Sequence, residues 1–146
     1  MNIHLATDHA GYDLKEFLKA ELIALEYNVV DHGALTLDKD DDYPDFVIPC
    51  AQAVAEEPNS FGIIIGLSGQ GEAMCANSIP GARSGIYYGG HIEIVTLLRQ
   101  HNNANILSLG AKFITQDEAL EAVKLFLETE FSGTERHLRR INKFTN

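Results

Sequence analysis

Short apolar runs recur along the chain, and longer stretches with apolar residues at helical spacing separate most of them. The runs are four to six residues long, and their nearly continuous apolar character is typical of strands buried on both faces. The five predicted strands are Ile3–Thr7, Asn28–Asp31, Phe61–Ile65, Arg83–Tyr88 and Ala104–Leu109. The pattern therefore predicts a sheet that lies inside a domain.

The segments between these runs predict helices. Leu14, Leu18 and Leu22 lie on one helical face, and Thr115 with Glu118 forms a capping box that starts the last long helix. The remaining predicted helices are Phe46–Glu56, with Pro49 tolerable only in its first turn, Gly71–Asn77, which Pro80-Gly81 ends, and Ile92–His101. Strands that alternate with amphipathic helices indicate a three-layer α/β/α Rossmann-like fold with a five-stranded parallel sheet.

Composition narrows the class of protein. The chain has 146 residues and a hydrophobic content of 45%, which predicts one domain spanning residues 1–146. No signal-peptide pattern and no apolar run of about 20 residues is present, and two cysteines form no metal or redox motif, so we expect a cytoplasmic protein. A net charge of −10 argues against nucleic acid and an anionic membrane as main partners. Cations nevertheless gather in a basic C-terminal segment, residues 133–146, which is either a small-anion site or a solvated tail.

The most informative segment is the glycine loop that follows the third predicted strand, from Gly66 to Glu72. Its glycines allow close approach of the backbone to a ligand, and the free N–H groups of a first helical turn attract anions. The spacing of the loop matches neither a Walker motif nor the dinucleotide fingerprint. The loop therefore predicts a backbone cradle for negative charge, with the Ser68 hydroxyl and the Glu72 carboxylate at its edge.

Other candidate groups each have a structural alternative. Asp8 and His9 follow the first strand and are either an acid–imidazole pair at the site or a turn with a helix cap. His101 continues the predicted inner stripe of its helix and is either a ligand-binding or a structural histidine. For Glu72, a helix N-terminus lowers the pKa of a carboxyl group and burial raises it, and the sequence does not decide between them.

Two charged segments have simpler interpretations. The acidic run from Asp38 to Asp42 lacks the spacing of a calcium loop and is interpreted as solvated. Arg136 and Arg140 are four residues apart, with Lys143 three further on, so a helix would place all three on one face. Two guanidinium groups on one face suit bidentate phosphate binding.

Taken together, these motifs resemble the type B ribose-5-phosphate isomerases, a family that also includes subunits of galactose-6-phosphate isomerase. The resemblance covers nearly the whole chain. The residues that carry it are Asp8-His9-Ala10-Gly11-Tyr12, Asp42-Tyr43-Pro44-Asp45, Gly66–Glu72, Ala76-Asn77, Ile79-Pro80-Gly81, His101-Asn102-Asn103-Ala104-Asn105 and Arg136-His137-Leu138-Arg139-Arg140. One branch of the family uses a cysteine base at the position of Gly66, and another uses a glutamate at the position of Glu72, so the chain resembles the glutamate branch.

The resemblance implies an aldose–ketose isomerase without metal or organic cofactor that interconverts D-ribose 5-phosphate and D-ribulose 5-phosphate. Its catalytic residues would be Glu72 as the base, His101 and Asp8 for ring opening, and Ser68 as a hydrogen-bonding group. The implied substrate-binding residues are His9, Leu67, Gly69, Gln70, Gly71, Asn102, Lys112, Arg136 and Arg140. A homodimer with active sites at the subunit interface, or a dimer of such dimers, is also implied.

The sequence departs from the family at two positions and leaves other functions open. Ser78 stands where the family usually has a lysine, and Lys112 stands where the glutamate branch often has an arginine. The alternatives are the same chemistry on a hexose 6-phosphate of the allose or galactose type, a non-catalytic sugar-phosphate-binding subunit, and a nucleotide-binding α/β module, against which the missing phosphate-loop spacings count.

Overall fold

All five predicted strands form, and they pair in parallel in one sheet with the order β2-β1-β3-β5-β4. The structure is a computed structural model, and it describes residues 1–145. The strands are β1 (Asn2–Thr7), β2 (Asn28–Asp31), β3 (Phe61–Gly66), β4 (Ser84–Tyr87) and β5 (Ile106–Gly110). The predicted parallel sheet is therefore confirmed.

Within residues 1–145, six α-helices connect and flank these strands, and one 3-10 turn, His9–Gly11, follows β1. The helices are α1 (Tyr12–Ala24), α2 (Pro44–Glu56), α3 (Gln70–Asn77), α4 (Glu93–Asn102), α5 (Gln116–Glu128) and α6 (Glu135–Ile141). The predicted capping box is confirmed: Thr115 Oγ1 accepts from the Glu118 N–H at 3.1 Å, and Glu118 Oε2 accepts from the Thr115 N–H at 2.8 Å. None of the helices in residues 1–145 combines the length and apolar character needed to cross a bilayer.

The helices form a layer on each face of the sheet. Buried residues of α1, α4 and α5 pack with Leu5, Ile63 and Leu107 in one core, whereas those of α2 and α3 pack with Ile64 and Ile106 in a second core. Successive strand residues point to opposite faces, so the central strands feed both cores. The three-layer architecture is thus confirmed.

Two helix predictions differ from the structure. Helix α2 begins at Pro44, so Pro49 is its sixth residue and lies beyond the first turn. Pro49 and Asp45 are exposed, so water can bind the Asp45 carbonyl that Pro49 cannot pair. Helix α6 ends at Ile141, so Lys143 does not share a continuous helical face with Arg136 and Arg140; Asn146, the last residue of the basic segment, lies outside the described residues.

Candidate active site

The strands end at one edge of the sheet, called here the carboxyl edge, and the segments after β1, β3 and β5 meet there. Thr7 pairs with Ile65, and Gly66 pairs with Gly110. Because these strands are parallel and adjacent, the residues that follow them lie side by side. Asp8 and His9, the glycine loop 67–71 and Lys112 are therefore neighbours in space.

Hydrogen bonds from β5 and the segment after it hold the glycine loop in place. Ser108 Oγ donates to the Gly69 carbonyl at 2.6 Å, and the Lys112 N–H donates to the Leu67 carbonyl at 3.1 Å. Gly69 has φ of +79°, and a Cβ there would lie 3.0 Å from the Leu109 carbonyl oxygen, so a larger residue would be strained. The first helical bond of α3 runs from the Ala73 N–H to the Gly69 carbonyl. The amides of the preceding turn have no acceptor within the helix and can bind an anion.

Glu72 lies in the first turn of α3 and is 5% exposed. Its carboxylate covers Gly66, because a Cβ built on that glycine would lie 1.9 Å from Oε1. Burial raises the pKa of Glu72, the charge of Asp8 raises it further, and the backbone N–H of Glu72 opposes the shift. The net effect is a raised pKa, so the carboxylate has the raised basicity that suits a carbon-acid base.

Asp8 is buried beside the glycine loop and caps the turn that follows β1. It is 7% exposed, and its Oδ1 accepts from the Ala10 N–H at 2.9 Å. The Thr7 hydroxyl ties this turn to β3 by donating to the Ile65 carbonyl at 2.8 Å. Asp8 thus serves as a turn cap, and its charge acts on Glu72 at the same time.

His9 is held by Asp41, a residue that the sequence did not single out. Asp41 Oδ1 accepts from His9 Nδ1 at 2.7 Å and from the His9 backbone N–H at 3.0 Å. The hydrogen bond to Asp41 raises the pKa of His9, and the charges of Asp8 and Asp38 act in the same direction against desolvation. The interpretation of the whole acidic run as solvated is wrong for Asp41, whose side chain is 9% exposed.

We assign no metal to the three side chains Asp8, His9 and Asp41, although their ligand atoms lie within 4.8 Å of one another. His9 Nδ1 and Asp41 Oδ1 are already paired with each other, at 2.7 Å. The arrangement is that of a carboxylate-held imidazole.

Tyr43 is a second residue whose placement the sequence did not reveal. Its hydroxyl would lie 2.6 Å from a Cβ built on Gly71, so the phenol rests against the start of α3. The Tyr43 side chain adds one polar group to the wall of the site. The absence of a side chain at Gly71 leaves room for the Tyr43 hydroxyl.

The other candidate residues lie at the amino edge, where the strands begin. Helix α4 joins β4 to β5, so it runs from the carboxyl edge back to the amino edge, and His101 and Asn102 are its last two residues. His101 stacks on His137 of α6, with ring centroids 4.1 Å apart. Desolvation, followed by the electrostatic effect of His101 and of the Arg140 and Arg136 guanidinium groups, lowers the pKa of His137, so these side chains form one interacting cluster.

The predicted inner stripe of α4, Ile94, Leu97, Leu98 and His101, is wrong except for Leu98, which packs against the core. Ile94 is 48% exposed, Leu97 is 37% exposed, and His101 is exposed as well, whereas Val95 and Arg99 are buried. Arg99 takes a core position because carbonyl groups satisfy its guanidinium: Nε donates to the Thr129 carbonyl at 3.0 Å. His101 consequently faces away from the core of its own chain.

The sheet separates the two groups of candidate residues. A strand of six residues such as β3 spans about 20 Å at ~3.3 Å per residue. The structure therefore gathers one group at the carboxyl edge and the other at the amino edge. The first group is Asp8, His9, Leu67, Ser68, Gly69, Gln70, Gly71, Glu72 and Lys112; the second is His101, Asn102, Arg136 and Arg140.

A groove with a volume of about 400 Å³ lies at the amino edge, between the segment 77–84 and the end of the chain. Asn102 and Phe144 line it, and Phe144 is 63% exposed. The groove thus lies at the amino edge of the sheet, whereas Glu72 lies at the carboxyl edge.

Comparison with known proteins identifies the family of this arrangement. The family model for ribose/galactose isomerases matches residues 3–144. The ribose-5-phosphate isomerase B of Mycobacterium tuberculosis is 41% identical over 142 residues, which cover 97% of this chain and 86% of that protein. The probable ribose-5-phosphate isomerase B of Mycoplasma genitalium is 38% identical over 143 residues, which cover 97% and 92% of the two chains.

Solved structures give the same result. The crystal structure of the Mycoplasma genitalium isomerase with bound ribulose-5-phosphate superimposes with a TM-score of 0.92 at 38% identity, over 97% of this chain and 92% of that one. The Thermotoga maritima ribose 5-phosphate isomerase gives a TM-score of 0.90 at 37% identity, over 97% and 95%. On its sequence and its fold, the chain belongs to the ribose/galactose isomerase family.

Proposed function

We propose that the protein is an aldose–ketose isomerase that interconverts D-ribose 5-phosphate and D-ribulose 5-phosphate. The observation that carries the proposal is the buried Glu72 carboxylate, with its raised pKa, beside the backbone amides of the glycine loop. Relatives that are 38 to 41% identical carry this activity in their names, and the Mycoplasma genitalium neighbour holds ribulose-5-phosphate. The unpaired thiols of Cys50 and Cys75 fit the proposed location in the cytoplasm.

In the proposed mechanism the sugar ring opens before the carbon chemistry. His101, supplied by a second copy of the chain, donates a proton to the ring oxygen, while Asp8 accepts the proton of the anomeric hydroxyl. The C1–O bond of the ring breaks and leaves the aldehyde, so the number of protons in the sugar is unchanged. General acid–base assistance of this kind contributes about 10² to 10⁴ in rate.

Glu72 then carries out the isomerisation. Its carboxylate removes the proton from C2, which gives a cis-enediolate, and returns that proton to C1. The proton of the O2 hydroxyl moves to O1 in the same conversion, so C2 becomes the carbonyl and C1 becomes a hydroxymethyl group. The backbone N–H groups of Leu67 to Gly71 face the negatively charged oxygen of the enediolate and stabilise it. The Ser68 hydroxyl forms a hydrogen bond with the base or the substrate. Amides that are already oriented toward developing charge stabilise it without reorganisation.

The phosphate of the substrate is bound by cations from both edges. His9 and Lys112 come from the carboxyl edge of one subunit, and Arg136 and Arg140 come from the amino edge of the second. Lys112 meets the phosphate as a point charge, whereas each arginine can bind two oxygens. Asn102 of the second subunit completes the polar contacts to the sugar.

The proposed assembly is a homodimer, alone or paired with a second dimer. A two-fold axis places the amino edge of each chain on the carboxyl edge of the other, so both sites are completed at once. The charges are complementary, because Asp38 and Asp42 lie exposed near the carboxyl edge and α6 is basic. Exposed apolar side chains such as Leu67, at 54%, and Leu138, at 45%, are available for such an interface.

A hexose 6-phosphate is the second candidate substrate, because the family model also covers galactose isomerases. The chemistry at C1 and C2 is the same for both sugars, and the distance from Glu72 to the phosphate-binding cations selects between them. A non-catalytic subunit would need those cations but no buried base, so the placement of Glu72 favours an enzyme.

The proposal is tested by isomerisation of ribose 5-phosphate in EDTA, with allose 6-phosphate run in parallel. We expect turnover of the pentose by the wild type, its loss in Glu72→Gln, and normal turnover in the control Glu130→Gln, which changes an exposed glutamate. Turnover of the hexose alone would assign the second substrate. Normal turnover of ribose 5-phosphate by Glu72→Gln would contradict the role of Glu72.

A further inference from the structure

The contact between Asp41 and His9 is the strongest feature of the site that the proposed mechanism does not use. Asp41 belongs to the loop between β2 and α2, 32 residues from His9 in the sequence. One carboxylate oxygen, Oδ1, accepts from both the ring and the backbone of His9, at 2.7 and 3.0 Å. Two hydrogen bonds from one oxygen fix both the position of His9 and the orientation of its ring.

The burial of Asp41 shows that this contact is built into the fold. Its side chain is 9% exposed, whereas that of His9 is 37% exposed. Its second oxygen, Oδ2, is buried and has no hydrogen-bond partner among residues 1–145. A buried carboxylate oxygen without a donor is unfavourable, so the fold tolerates a destabilising group in order to keep a negative charge beside the imidazole.

The ring of His9 is polarised by this arrangement. With Nδ1–H donated to Asp41, Nε2 is the nitrogen left for a ligand. The carboxylates that act on the ring are Asp41 and Asp38 from the loop and Asp8 from the adjacent turn. All three favour the imidazolium, in which Nε2 also carries a hydrogen and can donate to a phosphate oxygen.

We propose that Asp41 is the positioning residue of the phosphate site: it holds His9 so that the ring meets the substrate phosphate as a charged donor. The inference rests on the proposed function, in which His9 binds the phosphate. Asp41 itself does not touch the sugar. Its removal therefore weakens binding of the phosphate and leaves the proton transfer by Glu72 in place.

The test compares Asp41→Asn with Asp40→Asn, a neighbouring exposed aspartate that serves as the matched control. Asparagine keeps an acceptor oxygen for the backbone N–H but removes the charge. We expect the KM for ribose 5-phosphate to rise about tenfold in Asp41→Asn, in line with the loss of a charge-assisted hydrogen bond, with kcat within about threefold of wild type. The Asp40→Asn variant should retain both constants.

A titration of His9 followed by NMR supplies a readout that does not depend on turnover. The pKa of His9 should fall in Asp41→Asn and stay unchanged in Asp40→Asn. Calorimetric binding of inorganic phosphate should weaken in Asp41→Asn at pH 7.5, and the deficit should shrink at pH 5.5, where His9 becomes protonated in both proteins. Neither measurement depends on ribose 5-phosphate being the substrate. A failure of the proposed function can therefore be distinguished from a failure of the proposed role of Asp41.

A double variant decides whether Asp41 acts through His9. If it does, His9→Gln combined with Asp41→Asn should bind phosphate no more weakly than His9→Gln alone. Additive losses would overturn the inference, as would an unchanged His9 titration or a fall in kcat at constant KM.

Discussion

The carboxylate of Glu72 occupies the volume that a side chain at Gly66 would need. A Cβ at position 66 would lie 1.9 Å from Oε1 and 2.0 Å from Cδ of Glu72. These distances are too short for any contact, so a side chain at position 66 would force the carboxylate to move. The space between the last residue of β3 and the first turn of α3 thus holds one side chain, that of Glu72. A glutamate side chain in this position requires glycine at 66, in keeping with the proposed role of Glu72 as the base.

The first prediction concerns Gly66→Ala. The added methyl group should displace the Glu72 carboxylate and lower kcat by about 100-fold, the effect expected when a catalytic group moves by roughly 1 Å. Steady-state kinetics with ribose 5-phosphate measures this. Gly62→Ala is the matched control, because it lies at the other end of β3 and its Cβ would meet only apolar side chains, at 3.1 Å. A kcat for Gly66→Ala equal to that of Gly62→Ala would show that the carboxylate position is not critical.

The second prediction concerns the pH dependence of turnover. Glu72 must be deprotonated to act as a base, so kcat should fall as the pH drops through the pKa of its carboxyl group. Burial raises that pKa, so the acid limb of the kcat profile should lie above the ordinary glutamate value of about 4.3. An acid limb at or below this value, measured at saturating substrate, would argue against a buried base.

The third prediction concerns stability. The folded state binds the Glu72 proton more tightly than the unfolded state, so the free energy of unfolding decreases as pH rises between the two pKa values. Glutamine does not ionise, so Glu72→Gln does not lose this stability as the pH rises. The variant should therefore melt at a higher temperature than wild type at pH 7.5. A gain of about 1 kcal/mol corresponds to roughly 2 to 4 °C in a protein of this size. The difference should vanish near pH 4, and a lower Tm for the variant at pH 7.5 would contradict the assignment.

The fold followed from the sequence because strand burial and helix periodicity are local signals. The apolar run of β3 and the capping residues Thr115 and Glu118 formed as predicted. The face of α4 did not, since Arg99 takes a core position and carbonyl oxygens satisfy its charge at 3.0 Å or less. A hydropathy pattern assigns such an arginine to the surface. It therefore also assigns the wrong face of α4 to the core.

The site followed from the sequence only in part. The position of Glu72 was predictable from the glycine loop, but its pKa depended on burial, which is a tertiary property. Asp41 was hidden in an acidic run in which every residue has the same local signal, and its contact with His9 spans 32 residues. The separation of Glu72 from His101 became visible once α4 was seen to return to the amino edge.

The fourth prediction concerns ring opening. Ribose 5-phosphate is mainly cyclic, so His101→Asn should strongly lower the rate at which it is turned over. The same variant should have a much smaller effect on the rate at which deuterium from the solvent exchanges into ribulose 5-phosphate. The ketose cannot form a five-membered ring, because its O5 carries the phosphate, so it needs no ring opening. NMR of the two sugars in D₂O measures both rates. Equal losses in the two reactions would remove His101 from the ring-opening step.

The central claim is that each active site combines Glu72 of one subunit with His101 and Arg140 of another, and subunit mixing tests it most directly. Glu72→Gln and the double variant His101→Asn/Arg140→Ala should each be inactive alone. After denaturation and refolding of an equal mixture, half of the dimers carry one of each chain, and one of their two sites is intact.

The mixture should therefore recover about a quarter of wild-type activity, with native mass spectrometry confirming that mixed dimers have formed. Mixed dimers without recovered activity would show that the catalytic groups act within one chain and would contradict the shared site.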